Sequence, residues 1–297
     1  MTWAIFVQNL VNGLSLGSLY ALVAIGYTMV YGILRLINFA HSDIFMLGAY
    51  ALFYLKLIFV LPWWAAFLLA IVITATFGIM VERAAYRPLR SAPRISALIS
   101  AIGVSFFIEN LGIVVFGGRP KPFQVPPFFG DSYAVGSVYL QNISWVVPVM
   151  SIALLMGLMA MVYRTRAGLA MRAISHDMET SGLMAIDVNK TVSLTFGVGS
   201  ALAAAGGIMW ALKYPQINPL MGTIPGLKAF IAAVLGGIGS IPGAMAGGFL
   251  LGMLEIMLVA FLPALSGFRD AFAFIILIVI LLAKPTGLMG QEFREKV

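Results

Sequence analysis

An all-α, polytopic membrane helix bundle of about eight or nine spans is the fold class this sequence predicts, and three observations lead there. Of the 297 residues, 61% are hydrophobic and only 10% charged, with a mean hydropathy of +1.01. Soluble domains are nearer half apolar and a quarter charged, so this chain lacks the polar groups to cover a water-facing surface. Its apolar runs are long and separate, whereas a barrel would show segments of about ten residues with alternating hydropathy. The basic residues lie between those runs, where positive charge retains loops on the cytoplasmic side, so the net charge of +7 does not point to nucleic acid. Cysteine is absent, which excludes disulfides and thiolate metal sites.

The elements follow in order. The first apolar stretch, about residues 6–34, lacks a basic start and a small-residue cleavage site, and reads as a retained span rather than a signal peptide. At about 20 residues per crossing, further spans fall near 43–61, 63–82, 95–116, 144–163, 191–212, 226–239, 242–262 and 269–283. The two near 240 form either separate spans or one broken, re-entrant unit. Twelve basic residues fall on one side: Arg35, Arg83, Arg87, Arg90, Arg94, Arg164, Arg166, Arg172, Lys190, Lys284, Arg294 and Lys296. Six fall on the other: Lys56, Arg119, Lys121, Lys213, Lys228 and Arg269. The richer side is expected to be cytoplasmic, which places the N-terminus outside and the C-terminus inside. A single transmembrane domain over 1–297, with a cytoplasmic loop at about 164–190, is the expected organisation. The long outer loop carries Pro120, Pro122, Pro126 and Pro127, which stiffen it and exclude a helix. It caps an outer cavity, meets an external partner, or serves as an ordered connector.

Three segments carry chemistry. In "LRLINFAHSDIFMLGAY", Asn38, His41, Ser42 and Asp43 interrupt apolar sequence, and Ser42 or Asp43 suits the N-cap of a following helix. A helix starting within membrane depth would aim free N–H groups and a positive dipole end into a cavity. An ordinary capped turn at the surface is the alternative. In "VLGGIGSIPGAMAGGFLLG", Gly236, Gly237, Gly239, Gly243, Gly247, Gly248 and Gly252 crowd around Pro242. They suit close helix packing, or a bend lining a pathway. Both segments join a break to a small-residue helix, a hint of internal repeats. Glu109 and Glu255 lie within apolar runs and must face the interior or an interface, as pathway groups or as helix-bridging hydrogen-bond partners.

The third segment, "RAISHDMETSGLMAIDVNKT", is a polar block between spans. Met171, Ile174 and Met178 recur at helical spacing as a short apolar face, with Arg172, Asp177 and Glu179 on the remaining surface, and Gly182 is expected to break the helix. Such a helix fits a partner's groove or the lipid headgroups equally well. The chain has no GxxxxGK[ST] phosphate loop, no HExxH and no catalytic pair, so no catalytic or metal-binding residue is named and any ATP chemistry must lie on another chain.

Taken with "INFAHSDIFMLGAY" and the glycine-rich segment, in this order, the block "RAISHDMETSGLMAIDVNKTVSLTFGVGSALAAAGGIMW" resembles the permeases of branched-chain amino-acid ABC importers, the Liv-type permeases. The resemblance runs from about residue 5 to 290. It implies a multi-pass permease subunit in the bacterial inner membrane that passes branched-chain amino acids by alternating access. It also implies a second, homologous permease, two cytoplasmic ABC ATPases carrying ATP and magnesium, and a periplasmic substrate-binding protein. This chain itself would hold no cofactor and no nucleic acid. On this reading Arg172, Ala173, Ile174, Asp177, Met178, Gly182 and Ala185 form a cytoplasmic coupling helix docked in an ATPase groove, and His176 is a surface contact. Asn38, His41 and Asp43 would line the substrate pathway, with Gly236, Gly237, Gly239, Pro242, Gly243 and Gly247 as helix packing or a pathway break. Gly182 after Asp177 matches the Liv-type loop closely and the general Glu-Ala-Ala loop of ABC importers only loosely. Urea, short amides or other amino acids are alternative substrates. A stand-alone channel or carrier, the alternative of another class, would have no use for an in-plane coupling helix.

Overall fold

The computed structural model describes residues 3–90, 92–136 and 138–290. Helices α1 (Trp3–Leu34), α2 (His41–Phe59) and α3 (Trp63–Val81) lead into a π-helical turn (Glu82–Tyr86), a 3-10 turn (Arg87–Leu89) and α4 (Arg94–Phe116). The outer loop holds β1 (Lys121–Pro122), a one-turn α5 (Pro127–Gly130), and the hairpin β2 (Ser132–Val135) and β3 (Val138–Gln141). Then come α6 (Asn142–Arg164), α7 (Arg166–His176), α8 (Met178–Leu183), α9 (Val188–Lys213) and β4 (Gln216–Ile217). The chain ends with α10 (Thr223–Gly236), α11 (Ile241–Phe261), a 3-10 turn (Pro263–Phe268) and α12 (Arg269–Ala283). β1 pairs antiparallel with β4, and β2 with β3.

Among the described residues, eight helical segments are long and apolar enough to cross a membrane. The expected span at 226–239 is not one of them. Its helix, α10, has 14 residues and is ~21 Å long, short of the ~30 Å hydrocarbon core. The outer loop also departs from expectation. Its prolines admit one helical turn, because Pro127 sits in the first turn of α5, where its missing N–H costs nothing. Arg294 and Lys296, counted above for orientation, lie outside the described residues.

Helix α1 is the axis of the bundle, buried almost continuously from Ser15 to Val30 and packed against α6, α9, α10 and α11. Helix α9 is the second axis, flanked by α2 and α3. Within lipid no hydrophobic force draws helices together, so small residues that admit close backbone approach carry the packing. Helix α11 uses them on two faces. Gly248 and Gly252 sit against Ala21 and Gly17 of α1, while Gly243 and Gly247 sit against Gly236 and its neighbours at the end of α10. Helices α4 and α12 lie outermost and expose Ile95, Ile99, Phe106, Val114, Ile275, Ile278 and Leu282, apolar faces suited to lipid.

Candidate functional site

The break after α1 builds the first half of the site. Its backbone turns before the residues expected to cap α2: the His41 N–H donates to the Asn38 carbonyl at 3.1 Å and the Ile44 N–H to the Ala40 carbonyl at 3.0 Å. Helix α2 therefore starts at His41, Ala40 is its N-cap without a side-chain bond, and Ser42 and Asp43 stand inside its first turn. The cap expected at Ser42 or Asp43 is thus corrected, and the Ser42 hydroxyl donates back to the Phe39 carbonyl at 3.0 Å.

The depth of this start follows from what it touches. The His41 imidazole fills the space a Cβ on Gly26 would need, and it lies against Gly199, ~16 Å along α9 from its first residue. The Ser42 carbonyl and side chain close on Gly222 and Gly226, at the start of α10. Two helix N-termini therefore meet inside the bundle, each bringing a positive dipole end to one point. The three expected pathway residues converge here, all buried. Asn38 Oδ1 accepts from the Tyr86 hydroxyl at 2.6 Å, the His41 ring packs on Tyr27 with centroids 4.6 Å apart, and Asp43 faces Ser105 and Glu109 of α4. Thr223, first residue of α10, donates its hydroxyl to Glu109 at 3.1 Å. Asn38 Nδ2, His41 Nε2 and Asp43 Oδ2 are buried with no hydrogen-bond partner within 3.5 Å among the described residues.

The second half is the α7–α8 unit. Thr165 caps α7, accepting from the Gly168 N–H at 3.1 Å. The apolar face expected to dock elsewhere is turned inward: Met171 and Ile174 are buried where α7 packs on α1, α6 and α9, and Met178 is half-buried. The break in the helix falls at Asp177, not Gly182. Asp177 caps α8, its carboxylate accepting from the Glu179 and Thr180 N–H groups at 3.0 Å each, so Gly182 falls in the last turn of α8. The chain reverses at Ala185, whose φ of 62° is left-handed. From His176 to Ala185 the exposed residues are His176, Asp177, Glu179 and Thr180, a polar strip, and then the tip, Gly182, Leu183, Met184 and Ala185, with Leu183 83% and Met184 74% exposed. Arg172 and Ala173 are half-buried, the Arg172 guanidinium lying 5.2 Å over the Tyr163 ring. Beyond the tip, Asp187 caps α9, and the Lys190 N–H it accepts at 3.0 Å holds its carboxyl below the ordinary carboxylate range.

The glycine-rich turn joins α10 to α11. Gly237 and Gly239 adopt φ of 106° and 95°, conformations open to glycine, and Ser240 caps α11 by accepting from the Gly243 N–H at 3.2 Å. Pro242 occupies the first turn of α11. A family model described as the permease component of branched-chain amino acid transport systems matches residues 9–282. The chain belongs to that permease family. Among similar proteins, the high-affinity branched-chain amino acid permease BraD of Pseudomonas aeruginosa is 44% identical over 98% of each chain. LivH of Escherichia coli, described in the same terms, is 41% identical over 98% of each chain. A probable LivH of Methanocaldococcus jannaschii is 27% identical over 94% of this chain and 90% of its own.

Two charged networks in this permease were not legible beforehand as networks. Glu82, fully buried, accepts from Arg87 at 3.1 Å, from Ser193 at 2.6 Å and from Arg90, while Arg90 also donates to Asn189 at 2.8 Å. Arg87 and Arg90 were counted as orientation signals only. The spacing hides the contact, because Glu82 and Arg87 share a face through the π turn, in which residue i bonds to i+5. Glu255 accepts from Tyr20 at 2.9 Å, from Lys228 at 2.6 Å and from Arg269. Lys228 also pairs with Asp270 at 2.5 Å. Lys228, counted among the basic residues of the outer side at the start of the expected 226–239 span, is therefore a paired interior charge on α10. Glu109 and Glu255 both bridge helices.

Proposed function

We propose that this chain is the membrane-spanning permease of a binding-protein-dependent importer of branched-chain amino acids, powered by ATPases on separate chains. The observation that carries the mechanism is the α7–α8 unit. Its inner face is committed to the chain's own bundle, yet its tip presents Leu183 and Met184 to the outside, where an apolar pair suits a groove on another protein. In this reading an ATPase receives that tip, Arg172, Ala173, Ile174, Asp177, Met178, Gly182 and Ala185 hold it in shape, and ATP with magnesium stays on the ATPase. The α7–α8 end is cytoplasmic and the N-terminus external, in keeping with the basic residues around α7. A second permease completes the pathway, and a periplasmic binding protein delivers the amino acid. Closure of the ATPases moves α7–α8, and the junction of α2 and α10 at Asn38, His41 and Asp43 is the part of the pathway that opens and closes. That junction is supported by two helix starts meeting in the bundle interior with unpaired polar atoms beside them.

The experiment is ATP-driven leucine uptake in proteoliposomes containing permeases, ATPases and binding protein. Leu183→Asp with Met184→Asp alters only exposed side chains, so insertion and thermal stability should match the wild type. Uptake and binding-protein-stimulated ATP hydrolysis should each fall about tenfold or more, as expected when an apolar anchor is lost. Wild-type uptake in this double variant would overturn the coupling assignment.

A further inference from the structure

A cavity of about 210 Å³ lies at the same end of the bundle as α7, between α1, α6, α7, α9 and the glycine turn. Its walls are apolar on one side, with Met29, Ile33, Met171 and Ile241. Its polar side is cationic. Arg172 lines it and forms no ion pair among the described residues, and its Nε is buried without a hydrogen-bond partner. Thr28, only 1% exposed, also lines it, and its hydroxyl likewise has no partner among the described residues. The first turn of α11, from Ser240 to Pro242, brings the positive end of a 21-residue helix to the same wall. Among the described residues, no acidic side chain lines the cavity.

Buried donors without acceptors cost free energy, and a guanidinium beside a helix N-terminus is suited to an oxyanion. Apolar walls opposite a few convergent polar groups are the make-up of a small-molecule pocket. We infer that this cavity binds a carboxylate with a branched apolar body, the transported amino acid itself, at its point of release, with Arg172 and Thr28 on the carboxylate. The inference rests on the proposed function and extends it. Met171, Arg172 and Ser175 all belong to α7, so the departing amino acid touches the helix assigned to coupling, and its occupancy biases where that helix sits.

The chain has no cysteine, so Ser175→Cys places a single reporter thiol of this subunit in the cavity wall. The assembled transporter, in nanodiscs of neutral lipid and without binding protein, is alkylated with N-ethylmaleimide while ligands are added. Leucine and 4-methyl-2-oxopentanoate should slow alkylation about tenfold at saturation, and leucinamide, which lacks the carboxylate, should not. Adding Arg172→Met should raise the leucine concentration for half-protection about tenfold, and Thr28→Val about threefold. Thr195→Cys, on another wall of the cavity, is the second reporter should Ser175→Cys assemble poorly. Equal protection by leucinamide, or protection indifferent to both variants, overturns the inference. Protection by inorganic phosphate as good as by leucine, or by anionic lipid in the nanodisc without leucine, likewise overturns it in favour of a free oxyanion or a headgroup. Wild-type leucine uptake is measured in parallel. Uptake without protection defeats this inference alone, and absence of any branched-chain amino acid uptake defeats the functional reading with it.

Discussion

At Asp177 one carboxylate sets where α7 ends and α8 begins, because it satisfies two N–H groups that a helix start leaves open. Removing that acceptor should loosen α8 and leave the bundle intact. Asp177→Ala is expected to cost about 1 kcal/mol locally, which speeds amide exchange over Met178–Leu183 roughly fivefold. Asp177→Asn, which keeps a capping oxygen, should exchange at nearly the wild-type rate. Similar exchange in the two variants would show that charge rather than capping acts here. Asp177 is exposed, as the sequence implies, but it also makes the helix break that the sequence places at Gly182. Gly in a helix pattern signals a break only where no stronger cap competes, and Asp177 lies five residues earlier with its carboxylate already in place. Asn38, His41 and Asp43 were legible for a simpler reason: polar residues inside an apolar run have few places to go.

Among the elements, the π turn at Glu82–Tyr86 ties together parts that are far apart in sequence. From the start of α9, Asn189 and Ser193 bond to Arg90 and Glu82, and from the other end of the turn Tyr86 bonds to Asn38 at the α2 junction. A continuous chain of hydrogen bonds and backbone thus links the foot of the α7–α8 unit to the helix break. Glu82 is buried against two guanidinium groups, and breaking such a network by removing one partner costs about 3–5 kcal/mol. Glu82→Ala should therefore lower the midpoint of thermal unfolding strongly, while Lys190→Ala, which removes the exposed, solvent-screened pair with Asp187, should leave it within error. Differential scanning fluorimetry of the two purified variants decides this, and equal midpoints would contradict it. Tyr86→Phe keeps the packing and removes only the bond to Asn38, so it should reduce leucine uptake more than it reduces stability. Long spans were readable from hydropathy because lipid imposes it. The π turn was not, since i+5 spacing has no place in the helical periodicities by which a sequence is read. The amphipathic face of α7 was readable too, but periodicity says only that a face is apolar, not which surface covers it.

At the scale of the whole molecule, the outermost helix poses a problem of attachment. Ala273 is the one buried residue of α12, and apolar side chains gain nothing by leaving lipid for a neighbouring helix. What fastens it is charge. Its first two residues, Arg269 and Asp270, pair with Glu255 of α11 and Lys228 of α10, and Tyr20 of α1 donates to the same Glu255. Two acids and two bases make the cluster neutral, which is how such groups are tolerated in an apolar bundle. The balance predicts an asymmetry. Arg269→Gln leaves Glu255 with Lys228 still at 2.6 Å, whereas Glu255→Gln leaves two cations sharing one half-exposed acid, Asp270. Glu255→Gln should therefore destabilise the more, and the double variant should recover part of the loss, with a coupling of about 1–3 kcal/mol in a double-mutant cycle. Amide exchange localises the effect: α12 and its preceding turn should open first, while α1 and α9, the buried axes, stay protected. Additive losses in the cycle, or uniform exchange throughout the bundle, would mean that α12 is held by packing and that the charges of α10, α11 and α12 stabilise the fold independently of one another.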